Sequence, residues 1–288
     1  MTNRGKVKVG IIGSQFEADI HAASFRIMPE EAEVVAVASP TPGHPEALAE
    51  RYSVPRVFHD YREMLAEADI EMVTITAPNN LHHRMTLDAA RAGGGVFMDM
   101  GCHGIAFCYW FLNRPKIKTV QCQMGTYVHG DKTRLEDNSI CVIDFEGNAA
   151  GLVENSWARR GGMEDRIEVY GEGGVTYASL HMGNALPTYS EYGYGYAVEK
   201  APQTKGWSYP VYEELWNYGF PQEMRHFARC VRGKEEPQAT GEDGRVVQEA
   251  LLAGYESAGQ GCRVSLPFRP AGVHRPVDLW WRGLQRSG

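Results

Sequence analysis

Asp99 and His103 stand four residues apart in Met98-Asp99-Met100-Gly101-Cys102-His103, and the apolar residues that follow, Phe107, Trp110, Phe111 and Leu112, recur at helical spacing. Residues four apart on a helix share a face. A carboxylate beside an imidazole fixes its tautomer and favours its protonated form, so His103 is a candidate general base for removing a hydroxyl proton. An inert helix-surface Asp–His pair has the same spacing and is the commoner outcome of spacing alone. A second constellation lies near the start of the chain. The β-branched run Val7 to Ile12 breaks at Gly13, and Phe16, Ile20, Ala23 and Ile27 then recur at spacings of four, three and four. A strand, a tight glycine turn and a helix together bring backbone N–H groups and a positive helix end up to a pyrophosphate. The G-x-G-x-x-G/A pattern is met at Gly13 and Ala18, but Gln15 takes the middle glycine's place. Its side chain either obstructs a cofactor or offers its amide to a phosphate. A plain strand–helix turn accounts for the stretch equally well.

These residues need a scaffold, and the apolar pattern supplies one. Glu33 to Ser39 reads as a second buried strand, Pro45 to Tyr52 as a helix, Val57-Phe58 as a short strand and Tyr61 to Ala66 as a helix. Ile70 to Ala77 is a further strand, ending at Pro78-Asn79-Asn80-Leu81-His82, after which a helix runs to about Arg91. Strands alternating with helices predict a doubly wound parallel sheet, with ligands at the carboxyl ends of its strands. Gly13, Ser39, Pro78 and Asn79 all fall at such ends. Dinucleotide folds often carry Asp or Glu after the second strand for the ribose hydroxyls. Here Ser39 stands there, which leans towards NADP, although no arginine follows at once to hold a 2′-phosphate. A plain strand end at Ser39-Pro40 is the alternative.

After Gly93-Gly94-Gly95 the pattern changes. Lys118–Val128, Ser139–Phe145, Ala150–Trp157, Arg166–Tyr170 and Val175–Leu180 read as strands, with a hairpin turn at Gly147-Asn148. Helices follow over Pro221–Val231 and Glu242–Ala258, then a last strand over Arg263–Leu266. The expected class is α/β: a shortened Rossmann-like parallel domain over 1–93 and a second, α+β domain with a largely antiparallel open sheet over 94–288. The aromatic residues from Tyr189 to Tyr218 suit sugar faces, and equally a core or subunit interface.

The chain's 288 residues carry 29 Lys and Arg against 36 Asp and Glu, a net charge of −7, which argues against nucleic acid or an acidic membrane as partner. No apolar run approaches a membrane span, and the N-terminus has no signal-peptide core. Six cysteines without a C-x-x-C pair point to free thiols and a cytoplasmic setting. No His, Cys or carboxylate cluster has metal-ligand spacing, so no metal site is expected.

Taken together, several motifs resemble the Gfo/Idh/MocA family, relatives of glucose–fructose oxidoreductase and inositol dehydrogenase. They are Val9-Gly10-Ile11-Ile12-Gly13 with His21, Ala77 to His82, Met98 to His103, Ile167-Glu168-Val169-Tyr170-Gly171, and Pro221 to Phe227 with Gly241-Glu242-Asp243-Gly244. They run in family order across almost the whole chain. The resemblance implies NAD or NADP as cofactor and hydride transfer at a carbinol of a sugar, cyclitol or related polyol. It also implies a homo-oligomer built through the C-terminal sheet. By position, Gly13, Ser14, Gln15 and Phe16 would hold the pyrophosphate. Pro78, Asn79 and His82 would lie near the nicotinamide ribose. Asp99 and His103 would form the acid/base pair.

One departure stands out. The family's Glu-Lys-Pro motif, whose lysine helps place the reacting hydroxyl, is absent from the chain, which passes from Gly93 straight into the glycine run. A sheet of order 3-2-1-4-5-6 would then lack its last two strands and leave its fourth as an apolar edge. A catalytically degenerate binding or oligomerisation partner is therefore the alternative to an oxidoreductase. A metal-dependent lyase or isomerase using His82, His103 and Asp99 ranks below both.

Overall fold

The computed structural model describes residues 5–76, 94–159, 164–179, 188–194, 204–208, 214–270, 272 and 275–286. Its contacts group into two compact units, Met1–Asn79 with Met163–Pro237, and Asn80–Gly162 with Gln238–Gly288.

The first unit begins with β1 (Val7–Ile12), α1 (Phe16–Arg26), β2 (Ala32–Ala38), α2 (His44–Tyr52), β3 (Arg56–Phe58), α3 (Tyr61–Glu67) and β4 (Met72–Ile75). All four strands are parallel, in the order β3-β2-β1-β4. Val7, Val9 and Ile11, on one face of β1, are fully buried, and Gly10 on the other face is buried too. Among the described residues β4 is the outer strand of this sheet, and Ile75 on it is 76% exposed.

The turn after β1 depends on glycine. Gly13 has φ +123°, and a Cβ placed there would lie 1.7 Å from the Thr76 carbonyl oxygen. Gly13→Ala should therefore destabilise the first unit by about 3 kcal/mol or more, read as a lowered denaturation midpoint. An unchanged midpoint would show that the turn relaxes freely. Gln15, by contrast, sits at φ −106°, ψ −157°, extended backbone that any residue adopts. The loss of the middle glycine thus carries no conformational penalty.

The second unit opens with α4 (Val96–Asp99) and α5 (Gly101–Phe111), then β5 (Ile117–Gly125), β6 (Asn138–Phe145) and β7 (Ala150–Ser156). The helical spacing read through Asp99, His103 and Phe107 to Leu112 is divided at Met100. The three strands form an antiparallel meander. Gly147 and Asn148, in the turn between β6 and β7, both have positive φ, 83° and 60°.

The chain then contributes again to the first unit. The hairpin β8 (Arg166–Gly171) and β9 (Gly174–Ser179) is followed by β10 (Thr188–Ser190) paired with β11 (Gly206–Ser208), where Tyr189 opposes Trp207 edge to face. Next come α6 (Glu214–Asn217) and α7 (Phe220–Val231). Met224 and Ala228 of α7 join Val7, Val9, Phe25, Met28 and Ala32 in one core. Just past α7, Arg232 grips both oxygens of Glu71 at 2.5 and 2.8 Å and holds that carboxyl down at about 2. The second unit closes with α8 (Gly241–Gln260), β12 (Val264–Ser265) and α9 (Val277–Arg286), giving a sheet of order β12-β5-β6-β7. A reciprocal Thr240–Asp243 capping box starts α8, and left-handed Gly261 ends it. One sheet face buries Val120, Cys141, Ile143 and Phe145 in the same core as Val247, Leu251 and Tyr255 of α8. Ile140, Val142 and Leu152 are exposed, alternating along β6 and β7 with the buried positions.

Candidate active site

The acid/base candidates belong to the second unit. The two residues that precede β6, Glu136 and Asp137, are both fully buried, and each organises a different neighbour. The Glu136 carboxylate accepts N–H bonds from Gly95 (2.9 Å) and Phe97 (3.2 Å), at the start of α4, and the hydroxyl of Tyr255 on α8 (2.5 Å). A Cβ at Gly95 would stand 2.2 Å from the Glu136 carbonyl oxygen, which explains glycine at that point of the 93–95 run. Burial raises the Glu136 pKa, and the donors from Tyr255, Gly95 and Phe97 offset that only in part. Its second oxygen, Oε2, has no partner among the described residues. Asp137 is in the opposite state. Burial alone would raise it, but three successive backbone N–H groups, Tyr127, Val128 and His129, each at 2.8 Å, together with the Asn138 amide, hold it below the usual carboxylate range.

Asp99 ends α4 and His103 lies in the first turn of α5, on either side of the joint at Met100, and both are exposed. Among the described residues no hydrogen bond joins their side chains. The Asp99 carboxylate instead accepts the indole N–H of Trp157 at 3.1 Å, on Oδ2. Sequence reasoning missed Trp157, Glu136 and Tyr255. The two adjacent acids immediately before an alternating apolar strand were the one available signal, since such a pair needs donors if the strand start is buried.

The nucleotide candidates belong to the first unit. Ser14 donates its hydroxyl to Ser39, which is 3% exposed, across the carboxyl ends of β1 and β2. Gln15 is the N-cap of α1 but makes no capping bond; its amide nitrogen lies 2.5 Å from Nδ1 of His44, at the start of α2. Ser14, Gln15, Phe16 and His44 line a cavity of about 370 Å³ with Asp19, Ala47, Leu48 and Arg51. His21, on α1, holds Thr74 of β4 at 2.6 Å, and its burial lowers the imidazole pKa. The helix start that the Gln15 side chain leaves uncapped, beside a glycine-only turn and a cavity, fits a pyrophosphate group. Pro78, Asn79 and His82 lie outside the described residues. Among the described residues no group of three or more His, Cys, Asp or Glu could hold a metal ion, and no helix is long and apolar enough to cross a membrane.

Residues 66–266 match the family description "Oxidoreductase family, C-terminal alpha/beta domain", and residues 7–100 match "Oxidoreductase family, NAD-binding Rossmann fold". The chain belongs to the Gfo/Idh/MocA oxidoreductase family. Among curated relatives, myo-inositol 2-dehydrogenase of Thermotoga maritima is 27% identical over 172 residues, 59% of this chain and 47% of that protein. D-glucoside 3-dehydrogenase of Escherichia coli is 34% identical over 93 residues, 32% of this chain and 26% of that protein. The chain thus spans about half the length, or less, of the curated relatives it matches. Among solved structures, GenD2 from gentamicin A biosynthesis, in complex with NAD, aligns with a TM-score of 0.77 at 20% identity, covering 93% of this chain and 98% of that one. The scyllo-inositol dehydrogenase of Lactobacillus casei, with NAD(H) and scyllo-inositol bound, aligns with a TM-score of 0.68 at 17% identity, covering 90% and 99%. At those identities the likeness shows the fold. Family membership adds the family's NAD-binding Rossmann domain and its C-terminal α/β domain.

Proposed function

We propose that this family member oxidises a carbinol of a sugar, cyclitol or related polyol, with NAD or NADP as hydride acceptor. The observation that carries the reading is the Asp99–His103 segment. Both side chains are exposed to solvent on helices whose start is locked by a buried carboxylate, at the place where the family motif has its acid/base pair. In this reading His103 takes the hydroxyl proton and Asp99 supplies the negative charge that favours the resulting imidazolium. Bound nicotinamide supplies the hydride-accepting carbon. Ser14, Gln15, Phe16 and Ser39 line the cofactor's site around Gly13, and Pro78, Asn79 and His82 are assigned beside the nicotinamide ribose by family position. Ser39 brings no negative charge against a 2′-phosphate, which favours NADP. The exposed apolar residues Ile140, Val142 and Leu152 support a homo-oligomer formed through the second unit's sheet.

Fluorescence titration with NADH and NADPH, followed by a polyol screen, tests the reading. Saturable binding and polyol-dependent reduction are expected. A folded protein that binds neither cofactor would favour the second reading, a degenerate family member acting as a binding or oligomerisation partner, which the absence of Glu-Lys-Pro supports. Because the Gln15 amide is turned to His44 while its side chain takes up cavity space, Gln15→Gly should tighten NADH or NADPH binding by roughly three- to tenfold, about 1 kcal/mol. A weaker complex would show that the Gln15 amide serves the cofactor.

A further inference from the structure

Trp157 comes immediately after β7, half-buried, with its backbone N–H donated to the Asp137 carbonyl at 2.9 Å. Its indole N–H reaches Oδ2 of Asp99 at 3.1 Å. One residue before Asp137, the Glu136 carboxylate holds the amides of Gly95 and Phe97. Adjacent residues at the start of β6 therefore fix both ends of α4: Glu136 directly at its first turn, and Asp137 through Trp157 at its last residue. The four-residue α4 is too short to be stable by its own hydrogen bonds, so this bracket is what sets where Asp99 stands. With Oδ2 engaged, Oδ1 is the oxygen left without a protein partner among the described residues.

We propose that Trp157 is a positioning residue for the reaction assigned above to Asp99 and His103: its indole N–H orients the Asp99 carboxylate so that Oδ1 faces the imidazole or the substrate hydroxyl. This rests on the oxidoreductase reading and adds to it a residue outside the Asp99-to-His103 motif. An indole donor is neutral and cannot take the carboxylate's proton, so it directs the anion without competing as a base. Gly95, Glu136 and Tyr255 hold the other end of α4 and leave the carboxylate's rotation to Trp157 alone among the described residues.

Two measurements test it. Trp157→Phe keeps an aromatic ring and removes the donor; kcat for polyol oxidation should fall roughly ten- to hundredfold while the affinity for NADH or NADPH is unchanged. An unchanged kcat overturns the proposal. Independently of turnover, the indole ¹H–¹⁵N resonance of Trp157, assigned by triple-resonance spectroscopy, should follow the protonation of Asp99 in the unaltered protein and lose that pH dependence in Asp99→Asn. The same pH response in both proteins overturns the proposal even if Trp157→Phe fails to fold. A protein that shows the Asp99-dependent titration but no polyol turnover would instead count against the oxidoreductase reading, so the two failures are distinct.

Discussion

His103→Ala is expected to lower polyol-dependent NAD(P)⁺ reduction by about 10²–10⁴-fold, the usual contribution of a positioned general base, and to leave the dissociation constants of NADH and NADPH unchanged. The second half of that expectation follows from role: a general base acts on the substrate's hydroxyl proton, while Ser14, Gln15 and His44 line the cavity assigned to the cofactor. The imidazole is exposed and so is not a structural core histidine, and the variant should fold. Initial rates at saturating cofactor, paired with a fluorescence titration, separate the two effects. Full activity in His103→Ala would sink the acid/base assignment. A loss of activity accompanied by weakened cofactor binding would place His103 in binding rather than proton transfer.

Glu136→Ala should cost about 3–5 kcal/mol of stability, seen as a lowered denaturant midpoint. Removing the carboxylate strands the Phe97 N–H and the Tyr255 hydroxyl in a fully buried site and leaves the Gly95 N–H with the Tyr255 oxygen at 3.2 Å. Glu136→Gln separates this acceptor role from the charge. Burial raises the pKa of Glu136 in the folded protein above its ordinary 4.5, so the folded state prefers the neutral acid. The stabilising contribution is then complete below the unfolded value and is lost as pH rises through the folded one. The glutamine variant does not titrate there. Its stability relative to the unaltered protein should therefore improve from pH 4.5 upward, measured as the difference in midpoint between the two proteins. A difference that stays constant with pH would mean that Glu136 titrates alike in the folded and unfolded states.

Much of the parallel half could be read in the sequence because local chemistry alone decides it. The β-branched runs of β1 and β2 and the glycine after β1 predict strands and a turn whatever the rest of the chain does. The same holds for the Gly147-Asn148 hairpin, where both residues occupy positive φ. The break at Met100 was not legible, because the apolar spacing on either side continues in phase across it. The hairpin of Tyr189 with Trp207 was read only as an aromatic-rich stretch, since three-residue strands carry too few positions for a period to emerge.

By itself, then, the amino-acid order determined the strand–turn–helix opening, the parallel alternation, the antiparallel second half and the family's motifs in sequence. Tertiary structure alone decided that α7 returns to pack Met224 and Ala228 with Val7 and Val9, and that the two compact units are discontinuous in sequence. It also decided that Asp99 answers to Trp157 and Gly95 to Glu136. The physical reason is range. Periodicity and turn chemistry report on neighbours a few residues away. The bonds from Trp157 to Asp99 and from Tyr255 to Glu136 join positions 58 and 119 residues apart, where only the packing of whole elements brings donor and acceptor together.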